Sequence, residues 1–284
     1  MKSPMQPLEK KVILVTGATD GVGKLVARDL ADRGAAVLLH GRSEEKGVAT
    51  LREIESATGN RNLRYYNADF ASLDAVARLA REVQLDQERL DVLINNAGLG
   101  AGSRRIGREE SHDGYELRFA VNYLAPFLLT HELLPLLRRS APARVVNVAS
   151  IGQQAIDFDD VMLQDEYDGL RAYRQSKLAQ IMFTFDLAES LDGSVVAVNS
   201  VHPASLMDTK IVSGADYFGR PMTTVREGAD AVGYVAISSE LDGVTGAYFE
   251  GKRRAKAKPQ AYDETARRRL RRLSEELTGL EQVA

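Results

Sequence analysis

Short, almost unbroken apolar runs alternate along the chain with longer stretches in which apolar residues recur every three or four positions. Lys11–Ala18 (KVILVTGA) is one such run. A run without polar alternation suits a strand buried on both faces of a parallel sheet. Val22–Arg33 has the helical period and stops at Gly34, a natural C-cap. Ala35–Gly41 reads as the next strand. Ser43–Gly59 reads as a helix with an N-cap serine and acidic residues in its first turn. Leu63–Phe70, Leu90–Gly98, Ala143–Ser150 and Val195–His202 read as further strands, and Gly246–Gly251 as a short last one. Helical patterns fill the intervals. This repeated β–α alternation predicts an α/β fold, a doubly wound parallel sheet with helices on both faces. No linker, repeat or low-complexity segment interrupts it, so 1–284 reads as a single domain, with a core over 10–251 and an extension over 252–284.

Two stretches fit the alternation poorly: Leu99–Asp113, rich in glycine and charge, and Gly152–Leu170, polar and acidic with scattered aromatics. Long loops inside a compact domain are often functional. In the extension, Ala266, Leu270, Leu273, Leu277 and Leu280 form an apolar stripe that should dock on the body and leave the arginines outside.

Composition narrows the chemistry. There is no cysteine, which excludes disulfides, thiol nucleophiles and thiolate metal sites. The four histidines lack metal-ligand spacing and read as structural, and no metal site is expected. The N-terminus has no apolar signal region, and no apolar run approaches the ~18 residues of a membrane span, so a cytoplasmic, soluble protein is expected. Net charge is −3 but uneven: residues 252–284 carry ten Lys/Arg against five Asp/Glu. A basic tail can touch phosphate or a membrane surface. The stripe favours a solvated helix face instead, and no nucleic-acid partner is expected.

The first apolar run leads into TGATDGVGK, with glycines at Gly17, Gly21 and Gly23 and Thr19, Asp20 and Val22 between them. A strand that turns sharply through glycines into a helix can admit a pyrophosphate to its backbone and aim helix N–H groups at it. This is a Rossmann-type dinucleotide cradle. An NAD site of this kind usually places a carboxylate at the end of the second strand. Here that place is Gly41, followed by Arg42. A guanidinium suits a 2′-phosphate, so NADP(H) is favoured over NAD(H). The alternative is that Arg42 simply lies on the surface.

In RAYRQSKLAQ, Tyr173 and Lys177 stand four positions apart and so share one helix face. A phenol titrates near ~10, and lowering that by roughly 3 units requires about 4 kcal/mol of preferential phenolate stabilisation. A buried ammonium one turn away is expected to supply it, helped by a positive nicotinamide ring. Ser150, ending the fifth strand, offers a hydroxyl to hold a substrate oxygen. Ligands gather at the carboxyl ends of strands in open parallel sheets.

In this order TGATDGVG, NNAG (Asn95–Gly98), Asn122, Ser150 and YRQSK (Tyr173–Lys177) resemble the short-chain dehydrogenase/reductase family over nearly the whole chain. The long interval between Ser150 and Tyr173, Asp113–Thr130 and the ending Arg271–Leu280 are most similar to its branch of retinol-dehydrogenase-like and protochlorophyllide-reductase-like members. The resemblance implies a catalytic set of Asn122, Ser150, Tyr173 and Lys177. Asn122 would sit at a helix irregularity and hold a water joining Lys177 to solvent. Asn95, Ala97 and Gly98 would stabilise the sheet and line the adenine-ribose side. Asp69, beside Phe70, would meet the adenine amino group. Tyr173 and Lys177 would also touch the cofactor, Lys177 through the nicotinamide ribose. His202–Thr209 would meet the nicotinamide, with Thr209 on its carboxamide; here Pro203-Ala204 replaces the usual Pro-Gly.

The function expected is NADP(H)-dependent hydride transfer to or from a hydrophobic ketone, aldehyde or secondary alcohol, that is, a carbonyl reductase or alcohol dehydrogenase. Met162, Leu163, Leu206, Met207, Ile211, Val212 and Phe218 would supply an apolar pocket. The alternatives are a catalytically silent NADP-binding sensor or scaffold, and an epimerase or dehydratase with a transient hydride step. Homo-oligomerisation is implied by the resemblance alone.

Overall fold

The computed structural model describes residues 8–103, 107–193, 195–205 and 223–280. Eight strands form one sheet: β1 (Val12–Val15), β2 (Ala36–Gly41), β3 (Leu63–Asn67), β4 (Val92–Asn95), β5 (Ala143–Val148), β6 (Val196–His202), β7 (Ala247–Glu250) and β8 (Arg253–Ala255). Their spatial order is β3-β2-β1-β4-β5-β6-β7-β8. All neighbours pair in parallel except β7 with β8. The strand order reverses between β1 and β4, and there the carboxyl ends open a crevice for a ligand. The doubly wound fold is the one the alternation predicts. The antiparallel edge strand β8 departs from it: Arg253 and Arg254 read as tail, because charge on an exposed edge strand carries no apolar signature.

The helices are α1 (Gly21–Asp32), α2 (Glu44–Thr58), α3 (Leu73–Asp86), α4 (Leu117–Phe119), α5 (Ala125–Arg139), α6 (Gly169–Ser190), α7 (Val225–Ile237) and α8 (Glu264–Thr278). The central strands are largely apolar because the pleat sends successive residues to opposite faces and both faces are covered. Ile13 and Val15 join Val26, Ile54 and Val232 beneath α1, α2 and α7. Leu14 joins Leu79, Leu133 and Phe183 beneath α3, α5 and α6. Between α4 and α5 the helix widens into a π-turn, Ala120–Leu124, with Asn122 fully buried in it. The continuous run Leu117–Arg139 is long and apolar enough to cross a membrane, contrary to expectation, but 83% of its most apolar window is buried inside the fold. It is a core helix.

The extension docks as the stripe requires. Leu270 is buried, and Ala266, Leu277 and Leu280 pack on the core. Tyr123 Oη and Ser274 Oγ share a hydrogen bond at 2.6 Å. The arginines do not all stay outside: Arg267 is buried and donates to both carboxylate oxygens of Glu189 and to Ala261 O. Leu273 does not join the packed stripe.

Two side chains brace the ends of β1, β2 and β3. His40 accepts from Gly17 N–H through Nδ1 at 3.4 Å and donates from Nε2 to Ala68 O at 3.0 Å. Its ring stacks on Phe70 at 4.3 Å. Burial pushes its pKa down to about 4, so the neutral tautomer with the proton on Nε2 persists. The Tyr65 hydroxyl lies 2.8 Å from both Gly41 O and Ser43 O, its one hydrogen shared between them, at the turn that carries Arg42. Gly47 of α2 lies flat on that ring: a β-carbon there would fall 1.9 Å from Tyr65 Cζ.

Gly47→Ala is therefore expected to lower stability by about 1–3 kcal/mol, since the ring must leave its bonds or α2 must shift; urea unfolding measures it, and an unchanged midpoint refutes the packing argument. For His40, a native pKa held below the usual 6.5 stabilises the fold fully above that value. The contribution is lost as pH falls from about 6.5 towards about 4. The loss should approach about 3 kcal/mol. His40→Gln should flatten that part of the stability–pH curve, and a variant as acid-sensitive as the parent would contradict it.

Candidate active site

The cradle forms where β1 meets α1. Gly17 and Gly21 take positive φ, 65° and 52°. A β-carbon on Gly17 would lie 2.8 Å from Ala97 Cα, and one on Gly23 2.3 Å from Gly17 O. The glycines thus let the first turn pack against itself and the NNAG segment, which brings the α1 N-terminus to the crevice. Thr19 seats over Gly41, whose β-carbon would fall 2.7 Å from Thr19 Cγ2. Two residues expected on the cofactor have side chains engaged within the protein. Asp20 caps α1, its carboxylate accepting from Gly21 N–H at 2.8 Å. The Val22 side chain is buried in the core. The turn's anion-facing groups are then the N–H groups of Val22 and Gly23, which have no partner within the helix.

Across the crevice, Asn96 holds the cradle. Its Nδ2 donates to Thr16 O at 2.8 Å and Gly17 O at 3.2 Å. Thr16 Oγ1 accepts from Asn96 N–H and Ala97 N–H. Asn95 ties the sheet together. Buried, it donates to Thr130 Oγ1 and Asn147 Oδ1, both at 2.9 Å. Phe70 also turns away from the crevice: its ring is buried on His40. Asp69 holds the adjacent turn by accepting from Ala71 N–H at 3.0 Å. Arg42 is exposed at the end of β2. Among the described residues nothing pairs with its guanidinium.

Ser150, Tyr173, Lys177 and Asn122 converge at the carboxyl end of β5. Asp168 starts α6 by accepting from Leu170 N–H and Arg171 N–H, and Tyr173 and Lys177 follow on its sheet-facing side. Tyr173 and Ser150 meet beside Gly152, where a β-carbon would lie 3.4 Å from Ser150 Oγ and 3.6 Å from Tyr173 Cε1. Ser150 Oγ accepts from Gly152 N–H at 3.0 Å, and its carbonyl from Tyr248 Oη and Gln153 Nε2. Lys177 Nζ donates to Val148 O and Gln180 Oε1, both at 2.9 Å, and lies 5.9 Å from the Tyr173 ring centroid. Asn122 occupies the expected helix irregularity, but its carboxamide serves the protein. Its Nδ2 donates to Leu99 O and Ser176 Oγ, and its Oδ1 accepts from Leu99 N–H. No Nδ2 hydrogen remains for a water. Lys177 Nζ and Asn122 Oδ1 lie 3.5 and 3.1 Å from where a β-carbon on Gly98 would stand, so that glycine keeps the space between them open.

The electrostatics depart from expectation. Burial pushes the Tyr173 phenol above its usual range, against the opposing pull of nearby Ser150. Burial also pushes Lys177 down to about 7. Desolvation favours the neutral form of both groups, so the chain alone does not make Tyr173 acidic. His202, at the end of β6, is pushed down to about 4 by burial and by Lys177, and its Nε2 bonds Ser205 Oγ at 3.0 Å.

The segment after Ser150 is clamped by the extension. Ile156 N–H donates to Gln260 Oε1 at 2.6 Å, and Gln260 Nε2 donates back to Ile156 O at 3.0 Å. Lys258 N–H donates to Gln153 Oε1, and Arg269 to Phe158 O. Met162 is partly exposed, but Leu163, expected in the pocket, is buried. Pro203 is buried and Ala204 half-buried beside it. Leu206, Met207, Thr209, Ile211, Val212 and Phe218 lie outside the described residues. A cleft of about 640 Å³ between α1 and α7, lined by Leu8, Val26, Asp29 and Tyr234, contains none of the site residues. Sequence reasoning missed Asn96, Ser176, Gln180, Gln153, Tyr248 and Gln260. The first three adjoin the motifs, but the last three carry no local signal.

Comparison with known proteins identifies the family. The family model described as short chain dehydrogenase matches residues 11–216. Retinol dehydrogenase 13 of Mus musculus is 39% identical over 95% of this chain and 84% of its own length. A solved structure from Mycobacterium paratuberculosis superposes with a TM-score of 0.78 at 29% identity, covering 95% of this chain and 94% of the other. A short chain dehydrogenase from Shigella flexneri, complexed with NADP, superposes at 0.69 with 27% identity, covering 87% of this chain and 99% of the other. The chain belongs to the short-chain dehydrogenase/reductase family of oxidoreductases, in its retinol-dehydrogenase-like branch.

Proposed function

We propose that the chain reduces a lipophilic ketone or aldehyde with NADPH, Tyr173 delivering the proton. One observation carries the reading: Tyr173 and Ser150 meet beside Gly152 at the carboxyl end of β5, with Lys177 one helix turn away and held to β5.

The cradle fits a dinucleotide. Val22 and Gly23 N–H groups would hold the pyrophosphate at the α1 N-terminus. Arg42, exposed and without a partner among the described residues, would hold a 2′-phosphate. The NADP complex of the Shigella flexneri relative supports that cofactor. When bound, the nicotinamide supplies the hydride.

The chain supplies everything else. Ser150 would donate to the substrate oxygen and fix its position. Tyr173, held as the neutral phenol by burial, has a proton to give as that oxygen gains charge. This protonation state favours reduction over alcohol oxidation. Lys177, near half-charged at neutral pH, would bond the nicotinamide ribose and stabilise the phenolate left behind. The retinol dehydrogenase relative supports a lipophilic substrate, and Ile151, beside Ser150 and 52% exposed, offers an apolar contact at the site's rim.

Tyr173→Phe is expected to lower kcat for carbonyl reduction by about 10²–10⁴-fold. NADPH should still bind with unchanged affinity by fluorescence titration. Substantial residual turnover would remove Tyr173 from the proton path. Arg42→Glu should weaken NADPH binding by about 10–100-fold and leave NADH binding intact or improved. Equal affinities in parent and variant would take Arg42 out of the phosphate site.

A further inference from the structure

A lysine has three donors on a flexible stem, so a lysine in a site must be aimed by its acceptors. Lys177 is buried, and two of its three donors are already engaged, one by Val148 O of β5 and one by Gln180 Oε1. Gln180 stands three positions along α6 from Lys177 and is 1% exposed. Its Nε2 is buried and has no partner. A lone buried amide N–H group is costly and calls for an explanation. Rotating the amide would set Nε2 against the ammonium, donor against donor. The lysine therefore dictates which way Gln180 points. The polar row below makes no other use of the Gln180 side chain. Asn147 Nδ2 donates to Thr184 Oγ1, which donates to Gln180 O, a backbone atom.

We propose that Gln180 is a positioning residue whose amide oxygen holds the Lys177 ammonium in its charged form and turns its third donor towards Tyr173 and the crevice. The surroundings make that oxygen decisive. The groups facing Lys177 are Tyr173 on its own helix, Val148 O of β5, His202 of β6, and Asn122 of the π-turn across Gly98. Among the described residues no carboxylate bonds it. Two neutral oxygens alone support the charge against burial.

The direct test needs neither cofactor nor turnover. In the cofactor-free protein, Lys177 labelled at Cε and Nζ is titrated by NMR, its signal assigned with Lys177→Met. The parent should show a midpoint near 7. Gln180→Met keeps the length and removes the acceptor, and its midpoint should fall by about one pH unit or more. Gln180→Asn, one methylene short, should also lower it. Thermal melts identify a variant that fails to fold, in which case the other carries the test. Parent-like midpoints in the folded variants overturn the proposal.

The consequence for turnover rests on the functional reading above. With less charge on Lys177, the pH profile of alcohol oxidation should shift in Gln180→Met. A Lys177 midpoint lowered in the variants, with a parent that turns nothing over, keeps the positioning role and rejects the functional reading. An active parent with unchanged midpoints does the reverse.

Discussion

The bond from Lys177 Nζ to Val148 O is the constraint on which the rest of the site depends. A buried amine must find oxygen acceptors or lose its proton, and this one finds its first on the last residue of β5. That fixes the rotation of α6 about its axis. One turn earlier on the same face, Tyr173 is brought to Ser150, which leaves the same strand two residues after Val148. The π-turn then meets α6 through Asn122 and Ser176, and the Leu99 loop hangs on Asn122. Turning α6 about its axis would separate all of these at once.

The sheet supplies the second half of the geometry. Because the strand order reverses between β1 and β4, the glycine turn and NNAG face each other across one crevice, and Thr16 and Asn96 lace them together. His40 carries that bracing to the end of β3 through Gly17 and Ala68. The glycine-turn end of the crevice is therefore held together by hydrogen bonds within the protein. The other end, after Ser150, is shaped by Gln260 and Lys258 from the extension, so a segment remote in sequence sets the wall beside the reacting groups.

What the sequence disclosed follows from how local each signal is. The strands, α1, α2 and the docked stripe of α8 declare themselves through periodicity and caps within a few residues. Tyr173 and Lys177 share a helix face by spacing alone, and Ser150 ends a strand. The errors arise where long-range packing decides. Asn95 sits beside Asn96 in sequence, yet the pleat turns the one inward to Asn147 and the other towards the cradle. Phe70 follows Asp69 but stacks on His40, a partner on β2 that only the β2–β3 register brings near. Asp20 caps its helix. The acidity of Tyr173 could not be read from the proximity of Lys177, because burial, which the spacing does not report, acts on both groups in the direction that removes their charges.

The proposed hydride transfer would place a phenol, a hydroxyl and an amine beside a bound nicotinamide. A crystal structure with NADP⁺ tests that placement most directly. It should show the pyrophosphate on the Gly17–Gly23 turn, the 2′-phosphate at Arg42 and nicotinamide C4 facing the Tyr173 hydroxyl, with Lys177 on the ribose. A dinucleotide bound elsewhere, or a nicotinamide turned away from Tyr173 with Ser150 and Lys177 untouched, would contradict it.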